Sequence, residues 1–325
     1  MFRKVLVPLD RSALAEQAVG QAAAIARASH AEFDLVMVHE PLSFAGFSDE
    51  PWNASQWDDD HKYLERIVDE LASGASITAT HTLLRGDATQ LICQRAWDID
   101  ADLIVMTSHG RTGFSRAWMG SIADGVLRHS AVPVLMLRPV ETPSDRFAAH
   151  RLFKHVLVPL DGSSLSADIL VSASSMARFS GARITLLRVV QPVPLATIDV
   201  DMAFAASAFI QDDEATSRLV EEATRELDEV SRRLSDESGA EVGAHVIVAS
   251  QIARGILDFA AGHHADVIAM STHGRGASRF LIGSVTDKVL RASSLPMLLH
   301  RPIGVMGEVK ARRATAMAEA LTVPW

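Results

Sequence analysis

The segment KVLVPLD at residues 4–10 recurs as HVLVPLD at residues 155–161, an offset of 151 positions. Further along, ADLIVM at 101–106 returns as ADVIAM at 265–270, an offset of 164, so about a dozen extra residues fall in the middle of the second copy. Self-similarity in a fixed order indicates a duplicated domain. We therefore expect a first domain at 1–140, a linker at 141–151, a second domain at 152–302 and a C-terminal tail at 303–325.

Within one copy, short apolar runs alternate with helical patterns. Val5–Leu9 is a continuous apolar run, typical of a strand buried on both faces, and Ser12 is a candidate N-cap for a helix that ends near Ser29. The remaining elements predicted for the first copy are strands at 33–39, 77–84, 102–106 and 134–137 and helices at 57–73, 88–97 and 121–129. Such alternation predicts parallel strands joined by right-handed crossovers. The predicted fold class is α/β: two tandem Rossmann-like domains, each an open doubly wound sheet of five parallel strands.

Composition excludes several classes of function. The net charge of −9 argues against general binding of nucleic acid or of an anionic membrane. The single cysteine, Cys93, excludes an intramolecular disulfide and a multi-cysteine metal site, and no HExxH pattern is present, so we expect no metal bound by protein ligands alone. With no signal-peptide pattern and no run near ~18 apolar residues, we expect a cytoplasmic protein with no membrane or nucleic-acid partner.

The ends of the first and fourth strands carry the candidate site, because ligands of doubly wound sheets bind beyond the carboxyl ends of the strands. The first strand ends at Asp10, whose carboxylate can accept hydrogen bonds from a base or sugar; the alternative is that it caps the next helix. The fourth strand enters a glycine-containing loop that ends at Gly120-Ser121, where a helix N-terminus favours phosphate. The alternative here is a flexible turn with an ordinary serine cap. The loop recurs in the second copy, which favours the phosphate site. It matches neither a Walker A loop nor a complete GxGxxG.

Together, VPLD, the SHGR at 108–111 and the Gly-Ser before the last helix resemble the universal stress protein family. The resemblance covers residues 1–140 and 152–302. It implies a fold like that of the adenine nucleotide alpha hydrolases. It also implies ATP (or ADP or AMP) held by a Gly-x2-Gly-x9-Gly-Ser/Thr loop, with Mg²⁺ or Mn²⁺ bound through the phosphates. The aspartate after the first strand and a residue near the end of the second are implied to surround the adenosine.

Carried onto this chain, the resemblance implies nucleotide-binding residues in both copies. In the first copy they are Pro8, Leu9, Asp10, Val38, Met106, Thr107, His109, Gly110, Arg111, Gly120, Ser121 and Ile122. In the second copy they are Pro159, Leu160, Asp161, Val189, Met270, Ser271, Gly274, Arg275, Gly283, Ser284 and Val285. The first glycine of the family loop is Thr107 in one copy and Ser271 in the other. Only eight residues, 275–282, separate the later glycines of the second copy, so we expect the first copy to be the better site.

Three functions stay open on the sequence. The first is an ATP-binding regulatory stress protein with an unknown protein partner. The second is an interaction or scaffold module of the same fold that has lost nucleotide. The third is an ATPase, which we expect to be slow because no general base is evident, and no catalytic residue is assigned. The resemblance implies pairing through the last strand of each sheet, so Val132–Leu137 and Leu295–Leu299 are expected to pair within one chain as a pseudo-dimer. A further homodimer is also an expectation.

Overall fold

The structure, a computed structural model, describes residues 2–41, 43–44, 47–48, 50–75, 77–108, 119–138, 151–194, 212–272 and 282–302. Five of the predicted site residues lie outside these ranges: His109, Gly110, Arg111, Gly274 and Arg275. The predicted linker, apart from its last residue, and the tail beyond residue 302 also lie outside them. Across the described ranges, none of the helices combines the length and the apolar character that crossing a membrane requires.

The two domains repeat one order of elements. The first contains β1 (Lys4–Leu9), α1 (Ala13–Ser29), β2 (Glu32–His39), the short strands β3 (Ser43–Phe44) and β4 (Phe47–Ser48), α2 (Glu50–Glu70) with a π-helical turn (Leu71–Ala75), β5 (Ala79–Arg85), α3 (Ala88–Asp98), β6 (Leu103–Thr107), α4 (Ser121–His129) and β7 (Val134–Leu137). The second contains β8 (His155–Pro159), α5 (Ser164–Ala167), α6 (Ile169–Ser180), β9 (Arg183–Val190), α7 (Asp213–Ser238), β10 (Val242–Val248), α8 (Ile252–Gly262), β11 (Val267–Ser271), α9 (Ser284–Ala292) and β12 (Met297–His300).

Each domain contributes five mutually parallel strands, in the order β5-β2-β1-β6-β7 for the first and β10-β9-β8-β11-β12 for the second. The central strands are buried on both faces; Val5, Leu6 and Val7 of β1 have no exposed surface. These observations confirm the predicted α/β fold with two doubly wound five-stranded sheets. The strand order reverses between β1 and β6, and again between β8 and β11, which is where such sheets bind ligands.

Helix α2 begins earlier than the sequence predicts. It starts at Glu50 rather than at residue 57. The polar residues around Asp58–Asp60 interrupt the helical spacing of apolar residues, and a proline at 51 is typical of a turn. Both features led the sequence prediction to start the helix too late. In the first turn of a helix, however, a proline gives up no intrahelical hydrogen bond, because the N–H it lacks would have no partner.

The two sheets join edge to edge. β12 pairs antiparallel with β7, with Leu298 opposite Leu135 and Leu299 opposite Val134, and one sheet of ten strands results. This confirms the predicted pairing of the two last strands within one chain. Leu135 and Leu298 are fully buried, so the junction is part of the core.

Two arginines extend this junction in a reciprocal way. Arg138 Nε donates to the carbonyl of Ser293 at the end of α9 (3.1 Å), and Arg301 donates to the carbonyl of Arg128 in the last turn of α4. The two arginines lie 163 positions apart (301 − 138 = 163), so each domain binds a helix end of the other with the same residue.

Candidate functional site

The predicted residues of the first two strands meet at the carboxyl edge of the first sheet. β1 and β2 are in register with Leu9 opposite Met37, which places Asp10 beside Val38. Asp10 Oδ1 accepts a hydrogen bond from the backbone N–H of Ser12 (3.0 Å). The helix N-cap is Ser12, as predicted, since its Oγ accepts from the N–H of Ala15. The alternative that Asp10 itself caps α1 is therefore wrong.

The predicted phosphate loop of the first domain begins and ends at neighbouring points. The carbonyl of Ser108, next to Met106 and the buried Thr107, accepts a hydrogen bond from the N–H of Gly120 (2.8 Å). Gly120 is the N-cap of α4, and Ser121 and Ile122 are its first helical residues. The alternative of an ordinary serine cap is wrong, because the capping residue is Gly120, which has no side chain, and Ser121 is already helical.

The second domain repeats this arrangement. Asp161 Oδ1 accepts from the N–H of Ser163 (2.9 Å), and the N–H of Gly283 donates to the carbonyl of Thr272 (2.6 Å). Gly283 is the N-cap of α9, again without a side-chain cap, and Ser284 follows it. The loop that is one residue shorter therefore starts and ends at the same hydrogen bond as its counterpart.

A cavity of about 590 Å³ opens at the carboxyl edge of the second sheet, at the point where the strand order reverses. Its lining contains every predicted residue of the second copy within the described ranges: Pro159, Leu160, Asp161, Val189, Met270, Ser271, Gly283, Ser284 and Val285. This cavity lies in the copy for which the sequence predicts the weaker site. The relative nucleotide affinity of the two copies stays a prediction, which a binding measurement can test.

The remaining walls come from residues that the motifs do not include. Leu219 and Ala223 of α7 form one side, and Ile252 and Ile256 of α8 form another. The sequence did indicate that α7 borders the cavity, because the helix after the second strand of a doubly wound domain packs over this edge of the sheet. Which of its residues face the cavity depends on the helix phase, and the inserted residues before α7 concealed that phase.

Among the described residues, four that line the cavity are charged: Arg188 on β9, Asp161 after β8, and Glu222 and Glu226 on α7. The Arg188 side chain is 11% exposed, and its guanidinium lies 3.4 Å from Glu226. It also rests against Gly162, which has φ +84°; a Cβ there would lie 2.6 Å from the guanidinium nitrogens. Glycine adopts this left-handed backbone without strain, and a larger residue here would require the Arg188 side chain to move.

A sequence model of the universal stress protein family matches residues 1–138 and 152–301. The chain belongs to the universal stress protein family. Each of the two matched ranges contains one of the five-stranded sheets.

Two named relatives are universal stress proteins of Staphylococcus saprophyticus and of Staphylococcus aureus strain USA300. Each is 26% identical over 149 residues, which are 44% of this chain and 88% and 89% of the relatives. Among solved structures, a universal stress protein from Archaeoglobus fulgidus aligns with a TM-score of 0.65 and 21% identity, covering 92% of this chain and 98% of that one. A functionally unknown protein from Pseudomonas aeruginosa PAO1 aligns at 0.61 and 17%, covering 97% and 98%. At these identities the structures show that the tandem fold is shared.

Proposed function

We propose that this universal stress protein binds an adenine nucleotide in the cavity of its second domain and has a regulatory role. The observation that carries the proposal is the cavity itself. The residues implied to hold a nucleotide, drawn from β8, β9, β11 and the start of α9, line one continuous space.

The chemistry of the cavity suits such a ligand. Its volume of about 590 Å³ lies within the range of about 300–1,000 Å³ typical of small-molecule sites. Leu219, Ile252 and Ile256 offer apolar contact for a base, and Asp161 offers a carboxylate for a hydrogen bond to base or sugar. The N-terminus of α9 begins at Ser284 and carries partial positive charge, which favours a phosphate.

A divalent metal enters this proposal only through the phosphates. Within the described part of the chain, no group of three or more His, Cys, Asp or Glu side chains is placed to hold a metal ion. Mg²⁺ or Mn²⁺ would neutralise phosphate charge, while the protein would supply backbone N–H groups. We propose at most slow hydrolysis, far below the ordinary enzyme median of about 10 s⁻¹.

The first test measures nucleotide directly. The freshly purified protein is denatured, and released nucleotide is quantified by chromatography and mass spectrometry; emptied protein is then titrated with ATP and Mg²⁺ by calorimetry. We expect one equivalent of an adenine nucleotide per chain. No released nucleotide and no heat of binding would favour the interaction-module alternative instead.

The internal repeat supplies matched variants for the same titration. Gly283→Val places a branched side chain in the cavity wall at the start of α9, and we expect it to weaken ATP binding by about tenfold or more. Gly120→Val makes the same change at the start of α4, and we expect unchanged binding. Loss of binding only in Gly120→Val would place the site in the first domain.

A further inference from the structure

The first domain has larger polar residues at three positions where the second domain has small ones, two of which line its cavity. β2 and β9 are both eight residues long and start 151 positions apart (183 − 32 = 151), so His39 corresponds to Val190. By the same offset, Arg11 corresponds to Gly162, and both have a left-handed backbone, with φ of +66° and +84°. The loop after the first strand therefore follows one path in both domains and differs in its side chain.

The helices after the second strands show the same substitution pattern. The buried leucines Leu64 of α2 and Leu227 of α7 lie 163 positions apart (227 − 64 = 163), and each helix packs on the second and third strands of its own sheet. At this offset, Asp60 of α2 corresponds to Ala223 of α7. Ala223 and Val190 line the cavity of the second domain.

In the first domain the corresponding side chains bond to one another. His39 Nδ1 lies 3.0 Å from Asp60 Oδ2, and Arg11 Nη1 lies 3.1 Å from Asp60 Oδ1. The side chains of His39 and Asp60 are each only 6% exposed. Arg11 also reaches Gln56 Oε1 (3.4 Å), and the ring of Trp57 meets the His39 ring edge-on at 6.0 Å. We call Arg11, His39 and Asp60 the closing network.

The closing network joins the end of β2 to α2, across the space that is open between β9 and α7. A ligand entering there would have to separate a buried carboxylate from two partners, and leaving a buried charge unpaired is strongly unfavourable. In the second domain glycine, valine and alanine stand at the three positions, and the ion pair that joins β9 to α7 there, Arg188 with Glu226, has a carboxylate that is 53% exposed rather than buried.

We propose that the closing network shuts the first domain to adenine nucleotide, so that the chain has one nucleotide site, in the second domain. This inference rests on the proposed function, and it assigns the difference between the two domains to three pairs of positions: 11 and 162, 39 and 190, 60 and 223. His39 and Asp60 thereby act as specificity-determining residues of the first domain.

The test uses the full-length protein, exchanges all three positions in the first domain and the two cavity-lining positions in the second, and measures ATP stoichiometry by calorimetry in the presence of Mg²⁺. We expect one site in the wild type and two in the variant Arg11→Gly/His39→Val/Asp60→Ala. In the reverse variant, Val190→His/Ala223→Asp, we expect loss of binding, with an affinity lower by about tenfold or more. The reverse variant leaves the first domain untouched, so it remains informative if the triple variant does not fold. Circular dichroism and thermal melting check folding in every case.

The outcomes separate this inference from the proposed function. A wild type that binds no nucleotide overturns the proposed function and the inference with it. Two sites in the wild type would leave the proposed function standing and overturn the inference. So would undiminished single-site binding in the reverse variant, because the nucleotide would then occupy the first domain. A folded triple variant that still has one site would show that something other than the closing network shuts the first domain.

Discussion

Two histidines of the second domain, the buried His155 and the partly buried His300, lie where protonation is disfavoured. His155 Nε2 lies 2.8 Å from the hydroxyl of Thr185, and the guanidinium of Arg183 lies 3.1 Å from its Nδ1. Burial lowers the pKa of His155 below its ordinary value, and the Arg183 charge lowers it further. Burial likewise lowers the pKa of His300, at the end of β12, against a smaller opposing effect of Asp168. Both side chains are therefore neutral in the folded protein near neutral pH.

These shifts predict acid sensitivity of folding. A histidine whose folded pKa is depressed contributes stability that is fully present above the unfolded pKa of about 6.5 and is lost as the pH falls through the folded pKa. We expect the melting temperature to fall between pH 7.5 and pH 5.5, measured by calorimetry. His155→Gln, which keeps an amide near Thr185 but cannot titrate, should reduce this fall.

The control is His61→Gln, because the His61 side chain is 53% exposed on α2. It should leave the pH dependence unchanged. A melting temperature that does not change over this pH range in the wild type would contradict the assignment of His155 and His300 as neutral.

The residues of the closing network mark the limit of prediction from sequence. The motifs led to Asp10, which follows the first predicted strand, and the family resemblance led to Val38, near the end of the second. Asp60 carried a weaker signal, an acidic residue four positions before Leu64 on the buried stripe of α2. Its partner His39 is 21 positions away in the chain, and only the packing of α2 on β2 brings the two together. A spacing rule within one helix contains no information about that contact.

At the scale of elements, the contact between α3 and α4 shows another compensated pair. A Cβ at Gly125 of α4 would lie 2.7 Å from Oγ1 and Cγ2 of Thr89 on α3. In the second domain the corresponding residues are Lys288 (288 − 125 = 163) and Ala253 (253 − 89 = 164). The larger residue of the pair is thus on α3 in the first domain and on α9 in the second.

This pairing predicts non-additive effects on stability. Gly125→Ala gains up to about 1 kcal/mol of helix propensity but introduces overpacking that costs about 1–3 kcal/mol, so we expect net destabilisation. Thr89→Ala/Gly125→Ala removes the clash and should recover that loss. The free energies of unfolding of both single variants and the double variant, from urea titrations, give the coupling energy. A coupling near zero would contradict the close approach.

Strand positions and helix caps were predictable at this scale, because burial on both faces and capping chemistry depend on local sequence. Ser12, β6 and α4 illustrate this. The hydrogen bonds that close the two phosphate loops, from Gly120 to Ser108 and from Gly283 to Thr272, were not predictable. Each joins two residues that are separated in the chain by a whole loop. The shorter loop of the second copy suggested weaker nucleotide binding there, whereas the structure closes both loops with equivalent hydrogen bonds.

For the whole molecule, the two domains share one ten-stranded sheet. The pairing of β7 with β12 was predictable because each is a terminal strand with an exposed edge in an isolated domain. The reciprocal arginine bonds were not, since they depend on how the two sheets meet. Both edges are used within the chain, so a homodimer, which stays a prediction, would have to form through another surface.

The arginines at the junction predict a loss of stability shared by both domains. Arg138→Met and Arg301→Met each remove a hydrogen bond from a charged donor to a helix-end carbonyl, and we expect each to cost about 1.5–3 kcal/mol. In calorimetry we expect one unfolding transition for the wild type. In each variant this transition should shift to lower temperature or split into two.

The matched control is Arg254→Met, which removes an ion pair on the surface of α8 where the arginine side chain is 72% exposed. Its effect should stay within about 0.5 kcal/mol. Equal effects of the junction and surface variants would show that the arginine bonds contribute nothing to the union of the domains.

The junction between β7 and β12 also has a consequence for how the two domains can evolve. A dimer assembled from identical single-domain chains shows every mutation twice, so neither pocket can change without the other. Here one reading frame encodes both halves, and a mutation at Asp60 leaves Ala223 as it was. Each domain can therefore acquire its own binding properties, while the single chain and the shared junction keep one copy of each domain in every molecule.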